Sequence, residues 1–287
     1  MMETGVNVDG GVFSRKSICF VTGASRGLGK AIALKFASTF KAPITFVLIA
    51  RNQNGLTSVA ELLRQVDDSL TTTTPKTKLS IKVCTRAVDL SDLTTDYFAL
   101  FSGILQELDS KPGDYEQAII VHNAGSLGDV SKNARAFNDR KELASYYSLN
   151  LTNVIALNSQ FMQTFSEDKT KFRLVINISS ICALEAFKTW SVYCTGKAAR
   201  DMFFSVLGKE EQETKTTVLN YAPGPLITDM GDEARTKTAD PDIRKMFEEF
   251  KRDGKNLECD TSAERLMEIL WRMKFTSGQH VDFFDEI

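Results

Sequence analysis

The sequence is poor in the residues that metal and hydrolase chemistry need. Among its 287 residues there are only two histidines, His122 and His280, far apart and with no cysteine cluster beside either, which argues against a zinc site. A Ser-His-Asp hydrolase is also disfavoured, because no GxSxG turn occurs. The five cysteines, Cys19, Cys84, Cys182, Cys194 and Cys259, include no CxxC pair. Their odd number suits reduced thiols in a reducing compartment better than a disulfide framework. Net charge is nearly balanced at −2, so neither a nucleic-acid partner nor an acidic solvating tail is expected. The longest apolar run near the start, residues 44–50, is far too short to cross a bilayer. Residues 1–16 lack an apolar h-region and read as a flexible tail rather than a signal peptide. A soluble cytoplasmic protein with no membrane partner is the expectation.

What is present is a core: 43% of the residues are hydrophobic. Near-continuous apolar runs, "SICFVTG", "ITFVLIA", "LSIKVCTRAVDL", "QAIIVHNAG", "RLVINISS" and "TTVLNYAPG", read as strands covered on both faces. Between them, residues 30–40, 56–66 and 150–165 show helical spacing of apolar positions. The alternation predicts an α/β fold: one doubly wound, Rossmann-type parallel sheet over residues 17–287. "SLTTTTPKTK", residues 69–78, reads as an exposed connector. Residues 231–260 are charged and partly helical, where a substrate-covering segment would lie.

Three glycines, Gly23, Gly27 and Gly29, separate the first strand from the first helix in "TGASRGLG". Such a turn lets backbone approach a pyrophosphate at a helix N-terminus, so Gly23, Ala24, Ser25, Arg26, Gly27, Leu28 and Gly29 are assigned to a dinucleotide. An NAD site would place an acid at the end of the next strand. Here that position carries Ala50 and then Arg51, followed by Asn52. With Arg26 as a second guanidinium, a ribose 2′-phosphate and hence NADP(H) is favoured. Asp89 and Leu90 in "AVDLSD" and Asn123 in "HNAG" fall at later strand ends that border the same crevice.

At the reacting end, Tyr193 and Lys197 lie one helical turn apart. A cation that close is expected to lower a phenol pKa from about 10 by roughly 1–3 units, into the range of a general acid. Ser180, at a strand end thirteen residues earlier, is placed to polarise a carbonyl. Asn150 is expected to support the lysine through a bound water. Phe187 and Trp190 suit apolar walls for a flat ring or ordinary core packing equally.

"TGASRGLG", "HNAG", Asn150, Ser180 and "YCTGK", in that order, resemble the short-chain dehydrogenase/reductase family over nearly the whole chain. His122 is a departure, standing where the family often has asparagine. The longer stretches "NAGSLGDVSK", "YCTGKAARDM", "NYAPGPLITDM" and "SGQHVDFFD" resemble the branch of that family that reduces side-chain carbonyls of 6-substituted pterins in tetrahydrobiopterin synthesis. That resemblance implies NADPH as cofactor, a small pterin as substrate, and a cytoplasmic homodimer with packed helices at its interface. It assigns Ser180, Ile181, Tyr193, Gly224 and Asp282 to the pterin. It adds Leu226, Ile227, Thr228, Asp229, Met230 and Lys197 to the cofactor site. Asp282 has a chemical rationale as well, since a carboxylate accepts both the exocyclic amine and the adjacent ring N–H of a pterin. Two rivals stand beside this reading: a general carbonyl or diketone reductase of the same family, and a non-enzymatic NADPH-binding regulator. Thr238, in "EARTKTAD", follows Arg235 by three positions and is read as part of an exposed loop.

Overall fold

A computed structural model describes residues 11–73 and 80–286. The chain runs β1 (Ser17–Thr22), α1 (Gly27–Thr39), β2 (Ile44–Ala50), α2 (Gln53–Thr73), β3 (Ile81–Ala87), α3 (Tyr97–Glu107), β4 (Gln117–His122), α4 (Arg140–Tyr147), α5 (Asn153–Thr164), β5 (Phe172–Ile178), α6 (Ser191–Glu210), β6 (Thr216–Ala222), α7 (Asp229–Lys237), α8 (Pro241–Arg252), α9 (Cys259–Arg272) and β7 (Gln279–Asp282). Among the described residues seven strands join one sheet in the order β3-β2-β1-β4-β5-β6-β7, and the pairings between them are parallel. β1, β2 and β4 are buried along their whole length, as their unbroken apolar runs require of strands with helices on both faces. β3, at an edge, is only partly covered.

Each face has its own core. On one, Ile32, Phe36 and Leu266 from α1 and α9 pack with Leu219, Tyr221 and Val281 of the sheet. On the other, Phe101, Phe161 and Phe204 from α3, α5 and α6 pack with Phe20, Ile120 and Val175. Strand order reverses between β1 and β4, and the crevice at the carboxyl ends there is where ligands bind in open α/β sheets.

Four details depart from the sequence reading. Val12 and Phe13 are buried and Phe13 stacks on Trp271, so packed structure starts before residue 17; residues 1–10 lie outside the described residues. α2 continues to Thr73, through the first half of the expected connector, whose residues 74–79 are outside the described residues. β7 was not among the expected strands, because four residues of mixed polarity give no periodic signal. Thr238 is no exposed loop: it is the buried C-cap of α7. Among the described residues no helix is long and apolar enough to cross a membrane.

Candidate active site

The glycine turn is fixed by hydrogen bonds across the switch point. Asn123 Nδ2 donates to Thr22 O at 2.9 Å, and Thr22 Oγ1 accepts from the backbone N–H groups of Asn123 and Ala124, both at 3.0 Å. Gly23 and Gly27 stand at φ 65° and 54°, the left-handed region open to glycine. A Cβ at Gly23 would lie 2.8 Å from Asn123 Nδ2. The turn thus leaves a concave strip of backbone ahead of the α1 N-terminus, a cradle that fits a dinucleotide pyrophosphate.

On the opposite wall Thr228 caps α7, accepting from Gly231 N at 3.2 Å, so a second helix N-terminus faces the glycine turn. Asp229, its first residue, forms an ion pair with Arg26. Both side chains are 74% exposed, so the pair contributes little to stability but bridges the crevice mouth. Hydrogen bonds from Ser91 hold the Asp89 carboxyl below its usual range, and Arg51, past the end of β2, adds a smaller pull in the same direction. Asp89 accepts from Ser91, Asn52 accepts from Gly55 N at the start of α2, and Leu90 is buried. Arg26 and Arg51, grouped by the sequence reading, therefore have separate acidic neighbours.

At the far end of the crevice, α6 carries Tyr193 and Lys197 on its buried face. The Lys197 ammonium lies 5.6 Å from the Tyr193 ring centroid and donates to Ile178 O at 2.7 Å. Ser180 caps the short 3-10 turn Ile181–Ala183, accepting from Cys182 N at 3.2 Å, and its hydroxyl is close enough to the phenol to favour the ionised form.

The family model described as short chain dehydrogenase matches residues 17–239, a span that includes the glycine turn, Ser180, Tyr193 and Lys197. The chain belongs to the short chain dehydrogenase family. It is 40% identical over 285 residues to sepiapterin reductase of Bos taurus, covering 99% of this chain and 100% of that one. A benzil reductase of Bacillus subtilis is 30% identical over 213 residues, 73% of this chain and 74% of its own. Among solved structures, the KRED1-Pglu enzyme superposes with a TM-score of 0.73 at 24% identity, covering 92% of this chain and 100% of that one. The chain is thus an oxidoreductase of the short chain dehydrogenase fold.

The electrostatics differ from the sequence expectation. Burial pushes the Tyr193 phenol above its usual range, and Ser180 and Arg200 pull it back only in part. Lys197, half-buried and next to Arg200, is itself pushed down to about 7 by desolvation and by that guanidinium. Desolvation is the largest influence on both groups, and Ser180 and Arg200 are among the neighbours that favour the phenolate. Asn150 sits in a π-helical turn, Ser148–Thr152. Its Oδ1 accepts from Ser126 N at 2.9 Å and its Nδ2 donates to Tyr146 O at 2.9 Å. Those bonds fix the Asn150 side chain between Ser126 and Tyr146.

Asp282, at the end of β7, pairs in register with Ala222, and its Oδ1 accepts from Phe284 N at 3.0 Å. Gly224, at φ 75°, lies beside Phe283, which brings the two predicted substrate positions together. Ile181 is partly exposed at the rim. Trp190 meets Tyr193 edge to face at 5.4 Å, stacks on Phe247 of α8 at 5.3 Å, and donates to Thr238 Oγ1 at 3.1 Å. It therefore walls the phenol and joins residues 229–252 to the catalytic helix at the same time. His122 is fully buried, against Phe204 and Asn158, and burial pushes its pKa down to about 3: a neutral packing residue.

Sequence reasoning missed Arg200 and Asp201, which are 1% and 7% exposed. The signal was their position, three and four residues beyond Lys197 and so on its helical face. It also missed Thr189, a β-branched residue at φ 66° whose buried hydroxyl has no partner among the described residues. Relief of such strain is worth about 1–3 kcal/mol, against about 1 kcal/mol for the extra freedom of an unfolded glycine. Thr189→Gly is accordingly expected to raise the free energy of unfolding by about 1 kcal/mol, measured by chemical denaturation.

Proposed function

We propose that this enzyme uses NADPH to reduce side-chain carbonyls of 6-substituted pterins, such as sepiapterin and 6-pyruvoyl-tetrahydropterin, within tetrahydrobiopterin synthesis. The observation that carries the reading is Asp282: a carboxylate at the carboxyl end of the last strand, on the same end of the parallel sheet at which β5 leads into Ser180. The full-length likeness to a sepiapterin reductase supports it.

In this reading residues 23–29 hold the pyrophosphate, and Arg26 and Arg51 take the 2′-phosphate. Asp89, Leu90 and Asn123 border the rest of the dinucleotide with residues 226–230. Once bound, the nicotinamide supplies the hydride. The protein supplies position and protons. Asp282 accepts from the amine and ring N–H of the pterin, Gly224 and Ile181 border it, and the side-chain carbonyl oxygen is directed to Ser180 and Tyr193. Tyr193, kept protonated by its burial, donates its Oη proton to that oxygen as charge develops. The Ser180 hydroxyl donates a hydrogen bond to the same atom. Lys197, anchored on Ile178 O, holds the nicotinamide ribose. Exposed apolar side chains on α6, Met202 and Val206, with Phe98 at the start of α3, support a homodimer joined through these helices, and the thiol inventory supports a cytoplasmic location.

The test is cofactor consumption with sepiapterin and with a small 1,2-diketone lacking the pterin ring, each with NADPH and NADH. NADPH-linked turnover of sepiapterin is expected. Asp282→Asn is expected to weaken sepiapterin use by roughly 10–100-fold, the scale of a lost charge-assisted pair, and to leave the diketone nearly untouched. The likeness to a benzil reductase favours one rival, a general diketone reductase, which predicts equal effects on both substrates. Tight NADPH binding without any turnover would point to a regulator.

A further inference from the structure

Behind the reacting groups lies a row of polar side chains that the mechanism does not use. Strand register sets His122, Asn177, Asn220 and His280 side by side across β4, β5, β6 and β7, on the face that α6 covers. A polar row through the middle of a sheet costs free energy unless every group is bonded. Two adjacent residues of α6 supply most of those bonds. Arg200 donates to Asn177 Oδ1 at 2.8 Å and to the carbonyl oxygens of Ala124 and His122 at 3.1 and 2.5 Å. Asp201 accepts from Asn177 Nδ2 at 3.2 Å, from Ser179 Oγ, and from His280 Nδ1 at 2.5 Å. Asn177 also donates to Asn220 at 2.8 Å.

Each end of this network stops next to a residue of the reaction. Ser179 precedes Ser180. The carbonyls held by Arg200 flank Asn123. His280 lies two positions before Asp282, and the strand alternation puts both on the same face. β7 is short and lies at the sheet edge, so its backbone pairing alone holds it weakly. Its entry is tied to α6 by Ser205 Oγ, which donates to Gly278 O at 2.8 Å; further along β7, His280 makes the side-chain tie to Asp201. His280 uses one nitrogen only: Nε2 is buried without a partner among the described residues.

We propose that His280 is a positioning residue for the substrate: through its Nδ1 bond to Asp201 it fixes β7 against the catalytic helix so that Asp282 meets the pterin ring. This rests on the pterin reading of Asp282. The bond also gives the acidic side chain of Asp201, on the buried face of α6, a defined partner. A buried acceptor with its donors in fixed places admits one register of strand against helix, whereas apolar contacts tolerate sliding.

The test separates the nitrogen that bonds from the bulk of the ring. Asparagine places an amide N–H near the position of Nδ1; glutamine places it near Nε2, away from Asp201; leucine has none. Steady-state kinetics with NADPH, sepiapterin and a small 1,2-diketone are measured for His280→Asn, His280→Gln and His280→Leu, and folding is checked by thermal melting. Losing a donor to a buried carboxylate is expected to raise the sepiapterin KM about tenfold or more in the Gln and Leu variants, with kcat and the diketone KM within about threefold of the parent. His280→Asn is expected to restore the sepiapterin KM to within roughly twofold. If Leu does not fold, the contrast of Asn with Gln carries the result. An unchanged sepiapterin KM in Gln and Leu, an Asn variant as impaired as Gln, or equal losses with both substrates would overturn the proposal alone, provided that Asp282→Asn still selectively impairs sepiapterin. An Asp282→Asn enzyme with normal sepiapterin kinetics would overturn the pterin reading, and this inference with it.

Discussion

Tyr193→Phe is expected to lower turnover of a pterin ketone by roughly 10²–10⁴-fold, the range for loss of a positioned general acid. The substitution removes one oxygen and little else. The ring keeps its edge-to-face contact with Trp190 at 5.4 Å, and a phenyl group is at ease in a position that is only 7% exposed. Burial has already pushed the phenol above its usual range, so through the neutral region it stays protonated and ready to donate. Ser180 remains in the variant and still polarises the carbonyl, which is why some activity persists. NADPH affinity, followed by fluorescence titration, is expected to stay within about twofold, because the lost interaction belongs to the transition state and not to cofactor binding. Near-normal turnover would remove Tyr193 from the role; loss of NADPH binding would recast it as a structural residue.

Gly29→Ala strikes the other half of the site and is expected to be nearly as severe. Glycine is required there for space, since Gly29 is an ordinary helical position inside α1. A Cβ would overlap the carbonyl oxygen of Gly23 and lie 2.6 Å from Asn123 Nδ2. The first is backbone; the second is bonded to Thr22 O and Gly23 O, so neither neighbour can swing aside cheaply. Overpacking of this kind costs about 1–3 kcal/mol of stability. The forced shift opens the turn that holds the pyrophosphate, and at about 1.4 kcal/mol per tenfold NADPH binding should weaken by roughly 10–100-fold. Denaturant unfolding and NADPH titration on the same preparation test both effects. Wild-type values in each would show that the cradle yields more easily than its contacts imply.

The strands were legible because burial on both faces leaves no room for polar alternation, so β1, β2 and β4 stand out as continuous apolar runs. β7 was not, being short, half polar and stabilised by neighbours instead of by its own pattern. Tyr193 and Lys197 were readable from spacing alone; the sign of their electrostatics was not. Spacing shows that a cation is near a phenol, but it does not show that both are desolvated, and desolvation decides. Arg200 and Asp201 were hidden for a related reason. A charged pair on a helix is ordinarily solvated, and only the polar row on the facing sheet makes their burial tolerable. Thr238 misled in the opposite way: its polar neighbours suggest a surface, yet its hydroxyl is enclosed between Trp190 and Ala234 O.

The reversal of strand order also has a kinetic meaning. β1 meets β4 through pairs such as Ser17 with Gln117, 100 positions apart in the chain, while β2 and β3 assemble on its other side from nearby sequence. Closing so long a loop is slow, because its entropy is lost before the contacts form. The crevice between β1 and β4 does not exist until that closure is complete, so a dinucleotide has little to grip in the separated halves. Ligand that binds only the joined form shifts the folding equilibrium by mass action. The cofactor should therefore act as the seam of the domain during its assembly and, by slowing escape from the closed state, as a guard against its unfolding.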